Sequence, residues 1–195
     1  MTATACLRAV DGTPFSGAHR WLGPLTAEDQ AVLARAEPPV LDVGCGAGRH
    51  VLALAERGVV ALGIDITPAA LDVARRRGAP VLARSVFERV PGAGRWACAL
   101  LLDGNLGIGG DPAALLARVA SLLRSGGTLL VELAPTGRSA GPELVRLDID
   151  GADSPWFAWT SVDTTDLPTY AGAAGVQIED VWDAGGRSFG SLRRA

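Results

Sequence analysis

A chain of 195 residues suffices for one good-sized domain and is short for two. Its 48% hydrophobic and 20% charged content describes a well-filled globular core, and a net charge of −3 argues against a dedicated nucleic-acid binder. No basic-then-apolar leader opens the chain and no apolar run approaches the ~20 residues of a membrane span, so a cytoplasmic protein without membrane contact is expected.

All 18 basic residues are arginine. The missing lysine excludes Schiff-base chemistry, a Walker A phosphate loop and the Tyr-x-x-x-Lys pair of short-chain dehydrogenases. Cys6, Cys45 and Cys98 are odd in number, far apart and without C-x-x-C spacing, so neither a disulfide framework nor a metal site is expected.

In chain order, residues 1–25 carry turn signals at Gly12-Thr13-Pro14 and Gly23-Pro24 but no sustained period, which predicts an irregular arm. Its Phe15, His19, Arg20 and Trp21 suit either a lid over a ligand or packing on the outside of the domain. Thr26 with Asp29 spells a capping box for a helix over 27–36, which Pro38-Pro39 ends. An apolar strand over 40–43 then runs into a loop with glycines at 44, 46 and 48, and helical spacing resumes over 51–57 before Gly58. The run at 59–64 is a second strand, closed by Asp65.

Thr67-Pro68 opens a helix that ends in Arg75-Arg76-Arg77-Gly78, and this arginine triplet reads as a solvated face at a helix C-terminus. A weaker strand spans 80–86 and a clear one 97–102, ending at Asp103; the loop 103–110 holds four glycines. Asp111-Pro112 starts a further helix, which Gly126-Gly127 stops before a strand over 128–133. This alternation of strands and helices predicts a doubly wound, mostly parallel sheet with helices on both faces. Beyond Pro135, the alternation of Val145, Leu147 and Ile149 with charged residues predicts a half-exposed strand that 156–162 can pair with. A short helix over 164–174 and a hairpin of 176–182 with 187–194 complete a single domain. Its parts are the arm 1–25, a cofactor-binding core 26–134 and C-terminal strands and helix 135–195.

The glycine loop places backbone N–H groups where a ligand approaches a helix start. Cys45 within it reads as a small neutral spacer. A nicotinamide fingerprint needs glycine three positions after Gly46, where Arg49 stands instead. Asp42, two residues before the loop, is awkward beside a pyrophosphate and suits a ligand bearing an ammonium group. Asp65, followed by Ile66 at the end of the next strand, is placed to accept from the ribose hydroxyls of a nucleoside.

Leu41 to Gly48, Gly63-Ile64-Asp65 and Leu123-Arg124-Ser125-Gly126-Gly127 together resemble the class I S-adenosylmethionine-dependent methyltransferases. The resemblance implies a Rossmann-like sheet of seven strands, the last antiparallel, and S-adenosylmethionine as cofactor. It implies that Asp42, Gly44, Cys45, Gly46 and Gly48 hold the methionine end and that Asp65 holds the ribose. Many relatives carry an acid after the third strand to bind adenine; here the segment is Arg84-Ser85-Val86-Phe87, which leaves Ser85 or the backbone near Val86.

Asp103 and Asn105, beside the expected switch point, are the candidates for orienting a methyl acceptor, with a loop-shaping role for Asp103 as the other reading. His50 reads as packed. No Asn-Pro-Pro-aromatic motif follows the 97–102 strand, so a small-molecule acceptor is favoured over nucleic acid, and the oligomeric state is not legible. A nicotinamide oxidoreductase and a catalytically silent nucleoside-binding protein are the alternative functions.

Overall fold

The computed structural model describes residues 5–12, 14, 20–137, 140–149 and 151–195. Seven strands form the central sheet: β2 (Val40–Val43), β3 (Ala61–Asp65), β4 (Val81–Ala83), β5 (Trp96–Leu101), β6 (Leu123–Leu133), β10 (Val176–Ala184) and β11 (Arg187–Arg194). Their order is β10-β11-β6-β5-β2-β3-β4. The pairs from β6 through β4 are parallel, while β11 runs antiparallel to both β6 and β10. The class I arrangement expected from the sequence is present, and the order reverses at β2, between β5 and β3.

The continuous apolar runs of the inner strands follow from burial on both faces. Side chains alternate across a strand, so Cys98, Leu100 and Leu102 join Val32, Leu33 and Leu54 on one side. Ala99 and Leu101 meet Leu115, Leu116 and Val119 on the other. Those partners come from helices α1 (Ala27–Leu33), α2 (Arg49–Glu56) and α4 (Pro112–Leu122); α3 (Pro68–Arg76) and α5 (Leu167–Ala174) complete the set. The capping box holds: Asp29 N–H donates to Thr26 Oγ1 at 3.3 Å, and Thr26 N–H donates to Asp29 Oδ2 at 2.9 Å. Asp111 caps α4 in the same manner, accepting from Ala114 N–H at 3.0 Å.

Several boundaries move. The 59–64 strand begins only at Ala61, because Val59 N–H closes the end of α2 on Leu54 O, and the 80–86 strand contracts to three residues. The larger correction is in the arm. Residues 5–9 form strand β1 (Ala5–Ala9), which pairs antiparallel with β7 (Ala140–Ile149) in the register Leu7↔Leu147 and Ala9↔Val145. Two buried alternating positions are too few to read as a strand by period, and the pairing partner lies some 140 residues away in sequence. Phe15 and His19 lie outside the described residues.

β7 also pairs with β8 (Ala152–Asp153) and β9 (Phe157–Ser161), making a second, four-stranded sheet. Its apolar side gathers Leu7, Val145, Leu147 and Trp159 with Ala70 of α3 and with Trp21. This small sheet lies over the carboxyl ends of the central strands. Among the described residues, no helix is long and apolar enough to cross a membrane.

Candidate functional site

A cavity of about 670 Å³ opens at the carboxyl ends of β2, β3 and β5, the crevice where a doubly wound sheet takes its ligands. Gly44, Cys45 and Gly46 form one wall. Gly44 adopts φ 71°, and a Cβ there would lie 2.7 Å from Asn105 Nδ2 and 2.8 Å from Ile108 Cδ1, so only glycine admits this close approach. A Cβ on Gly46 would meet nothing within 4 Å, which leaves that face of the loop open to the cavity. Cys45 is buried, and burial pushes its thiol well above the usual range, in keeping with a neutral spacer.

Asp65 closes β3 and faces the same cavity. Its Oδ2 accepts from Gly46 N–H at 2.8 Å and its Oδ1 from Thr67 N–H at 2.7 Å, so one carboxylate braces the glycine loop and the start of α3. Each oxygen keeps acceptor capacity for a ligand hydroxyl. Ile66, Ser85 and Val86 line the cavity too, and Ser85 Oγ accepts from Phe87 N–H at 3.3 Å.

Two of the sequence-derived cofactor residues stand elsewhere. Gly48 does not line the cavity; it is the left-handed N-cap of α2, and a Cβ on it would come within 2.8 Å of Ala79 Cβ and 3.1 Å of Ala74 Cβ. It permits α2 to pack close to the end of α3. Asp42 likewise lines no part of the cavity. Its carboxyl is buried behind the loop with Oδ2 3.9 Å from His50 Nδ1, and burial pushes it up to about 6. His50 is buried between Asp42 and Asp29, whose Oδ1 is 3.6 Å from His50 Nε2, and it stands outside the cavity as the sequence indicated.

The raised Asp42 carboxyl binds its proton more tightly folded than unfolded, so its cost to stability appears as pH rises from about 4 through 6 and persists above. Asp42→Asn is therefore expected to raise the unfolding free energy at pH 7.5 by on the order of 2–3 kcal/mol. Denaturant titrations should show that gain shrinking below pH 5. A destabilised variant at pH 7.5 would mean that the ionised form is held by its neighbours.

Asp103 and Asn105 both reach the cavity, in roles that the sequence did not separate. Asn105 Nδ2 donates to Val43 O at 2.8 Å and to Gly44 O at 2.9 Å, which fastens the loop after β5 to the glycine loop. Asp103 has φ 59°, uncommon for a residue with a side chain. Its N–H donates to Glu132 Oε2 at 2.7 Å, and both carboxylate oxygens accept from Arg49 Nη2, at 2.7 and 2.9 Å.

Arg49, which marked the departure from a nicotinamide fingerprint, is the centre of a buried ionic chain. It also pairs with Asp29, and Arg187 joins Asp29 at 2.8 Å to Glu132 at 2.6 and 2.9 Å. Burial alone would raise the Asp29 carboxyl, but His50, Thr26 N–H, Arg187 and Arg49 outweigh it and hold the group well below the carboxylate range. Burial would lower the Arg49 and Arg187 guanidinium groups, and their carboxylate partners raise both instead. A second cavity of about 390 Å³, bordered by Arg20, Glu132 and Arg187, meets the first at Asp103, Trp21 and Trp159. Among the described residues, no group of His, Cys, Asp and Glu is arranged to hold a metal ion.

Residues 40–127 match the family model of the methyltransferase domain. Among solved structures, a SAM-dependent methyltransferase from Bacteroides fragilis in complex with S-adenosyl-L-homocysteine aligns with a TM-score of 0.78 at 23% identity, over 98% of this chain and 87% of that one. The SAM-bound amino pentose methyltransferase of Micromonospora echinaspora aligns with a TM-score of 0.67 at 22% identity, over 91% of this chain and 95% of that one. A third, the Burkholderia thailandensis 1,6-didemethyltoxoflavin-N1-methyltransferase, aligns at 0.61 and 21% identity over 87% and 79% of the two chains. At these identities the likeness is one of fold.

Proposed function

We propose that this chain, a class I S-adenosylmethionine-dependent methyltransferase by its domain match and its fold, transfers the cofactor's methyl group to a small-molecule acceptor. The observation that carries the reading is the cavity between the open glycine loop and the Asp65 carboxylate, at the strand ends where the sheet order reverses. The donor set fits the group: a carboxylate with spare acceptor capacity for ribose hydroxyls, backbone at Gly44 to Gly46, and Ile66, Ser85 and Val86 as the adenine-side wall. Asp42 and Gly48 support the loop from behind. The solved relatives bear methionine nucleosides, and two act on small molecules by their names, an amino pentose and a didemethyltoxoflavin. An acceptor of that kind, a cytoplasmic setting and no membrane or nucleic-acid partner agree with the acidic net charge. The arginine triplet fits this as well, since Arg75 is paired with Asp72 and Arg77 donates to Leu22 O.

Bound in the cavity, S-adenosylmethionine supplies an electrophilic methyl on a sulfonium. Catalysis by the protein then consists of holding the acceptor in line and excluding water, which a covered crevice provides. Asn105 fixes the loop that carries this geometry. Asp103, oriented by Arg49, borders the acceptor and takes its proton where the acceptor carries one.

Incubation with S-adenosylmethionine and a small-molecule library should release S-adenosylhomocysteine in step with a methylated product, followed by mass spectrometry. Cofactor binding without release across the library would favour a silent binder. With an acceptor in hand, Asp103→Asn is expected to cut turnover at least tenfold, equivalent to ~1.4 kcal/mol of barrier, while S-adenosylhomocysteine affinity stays within twofold. Full turnover in that variant would leave Asp103 a loop-shaping residue.

A further inference from the structure

We propose that the acceptor is a flat, uncharged aromatic or heteroaromatic molecule seated in a chamber of the same cavity formed by Trp21, Ile108, Leu147, Trp156, Phe157 and Trp159. The proposal rests on the methyltransferase reading and names the substrate class for that site.

The chamber is continuous with the glycine loop. Ile108 stands directly against Gly44, as the 2.8 Å approach of its Cδ1 to a Cβ position there shows, and it forms a backbone bridge with Trp159. Trp159 in turn lies 3.3 Å from the Cβ position of Gly104, next to Asp103. A molecule between these residues therefore lies beside the loop that holds the cofactor.

Its walls are aromatic and come from separate parts of the chain. Trp159 is buried and meets Phe157 edge to face, with ring centroids 6.1 Å apart, while Trp21 packs on the same cluster from the arm. Trp156 stands at the mouth with 44% exposure, a large apolar ring left partly in water beside a cavity. Rings of this kind offer broad faces for stacking on another ring.

Charge selects against ionic acceptors. Of the charged side chains that line the cavity, Asp103 is neutralised by Arg49, Asp153 by Arg146 at 2.7 Å, and Arg84 by Glu88 at 3.2 Å. Asp65 lies at the cofactor end. A carboxylate or an alkylammonium would enter without a free counter-charge and lose its hydration. A neutral ring loses little. In the transfer, a lone pair on a hydroxyl oxygen or an N–H nitrogen borne by the ring forms the bond to the methyl carbon as the carbon–sulfur bond breaks. That electron pair stays on sulfur, leaving a neutral thioether, and the proton on the acceptor atom passes to the Asp103 carboxylate.

Calorimetric titration of the protein, free and loaded with S-adenosylhomocysteine, against indole, 2-naphthol, butylammonium and hexanoate tests this. The neutral rings should bind one to one and at least tenfold tighter than either charged chain. Trp156→Ala, at a half-exposed position whose loss leaves the core intact, should weaken them at least fivefold with S-adenosylhomocysteine affinity unchanged. Charged probes that bind as tightly as the rings, or ring binding unaltered by Trp156→Ala, would overturn the proposal. Ring binding that persists in a protein unable to bind S-adenosylhomocysteine would support the chamber and overturn the methyltransferase reading instead.

Discussion

Arg49→Met is expected to lower the unfolding free energy by about 3–5 kcal/mol, the cost of breaking a buried ion pair by removing one partner. For a domain of this length, that corresponds to a fall of roughly 6–20 °C in the melting temperature. The effect is large because the guanidinium serves two carboxylates, Asp29 with 0% exposure and Asp103, and methionine neutralises neither. Asp29 retains Arg187 and His50, whereas Asp103 retains, among the described residues, only a distant Arg187 at 3.9 Å. Asp103 already holds a left-handed backbone, so its loop should loosen first and carry Asn105 and the glycine loop with it. The depressed Asp29 carboxyl contributes stability above its ordinary value near 3.8 that is lost as pH falls below it, so the wild-type advantage should shrink in acid. Denaturant unfolding of both proteins at pH 7.5 and pH 2.5 measures this; a loss under 1 kcal/mol at pH 7.5 would show that the ionic chain is replaceable by packing.

Asp65→Ala is the second large effect, and it falls on affinity. Removing the carboxylate removes the acceptor of two backbone N–H groups, at Gly46 and Thr67, and in the proposed site it strands the ribose hydroxyls as well. Hydrogen bonds to a charged group are worth about 1.5–3 kcal/mol, so S-adenosylhomocysteine should bind roughly 10- to 150-fold more weakly. Circular dichroism should report an intact fold, since the residue sits at a cavity wall rather than in the core. Affinity within a factor of two of wild type would remove Asp65 from the binding site.

The sheet was legible because burial on both faces writes itself into strands as unbroken apolar runs, and because Pro, Gly and capping residues punctuate them at short intervals. The wall of the cavity was legible for a related reason: Gly44 to Gly46 and Asp65 are set by local chain geometry. What escaped is non-local. Asp29 reads as a helix cap and is one, yet its second oxygen meets Arg187 across 158 positions of sequence, and no spacing rule connects them. Gly48 carries the motif but serves helix packing, a distinction that depends on Ala74 and Ala79 arriving beside it. Asp42 is similar, a motif residue whose surroundings turn it away from the cavity. The small sheet depends on β1, whose two buried positions have meaning only opposite Val145 and Leu147.

Whether the crevice takes a methionine nucleoside is read by calorimetry against S-adenosylmethionine, S-adenosylhomocysteine and NADH. Both methionine nucleosides should bind one to one, at least tenfold tighter than NADH. NADH binding tighter than both would contradict this expectation, as would the failure of either methionine nucleoside to bind a folded protein.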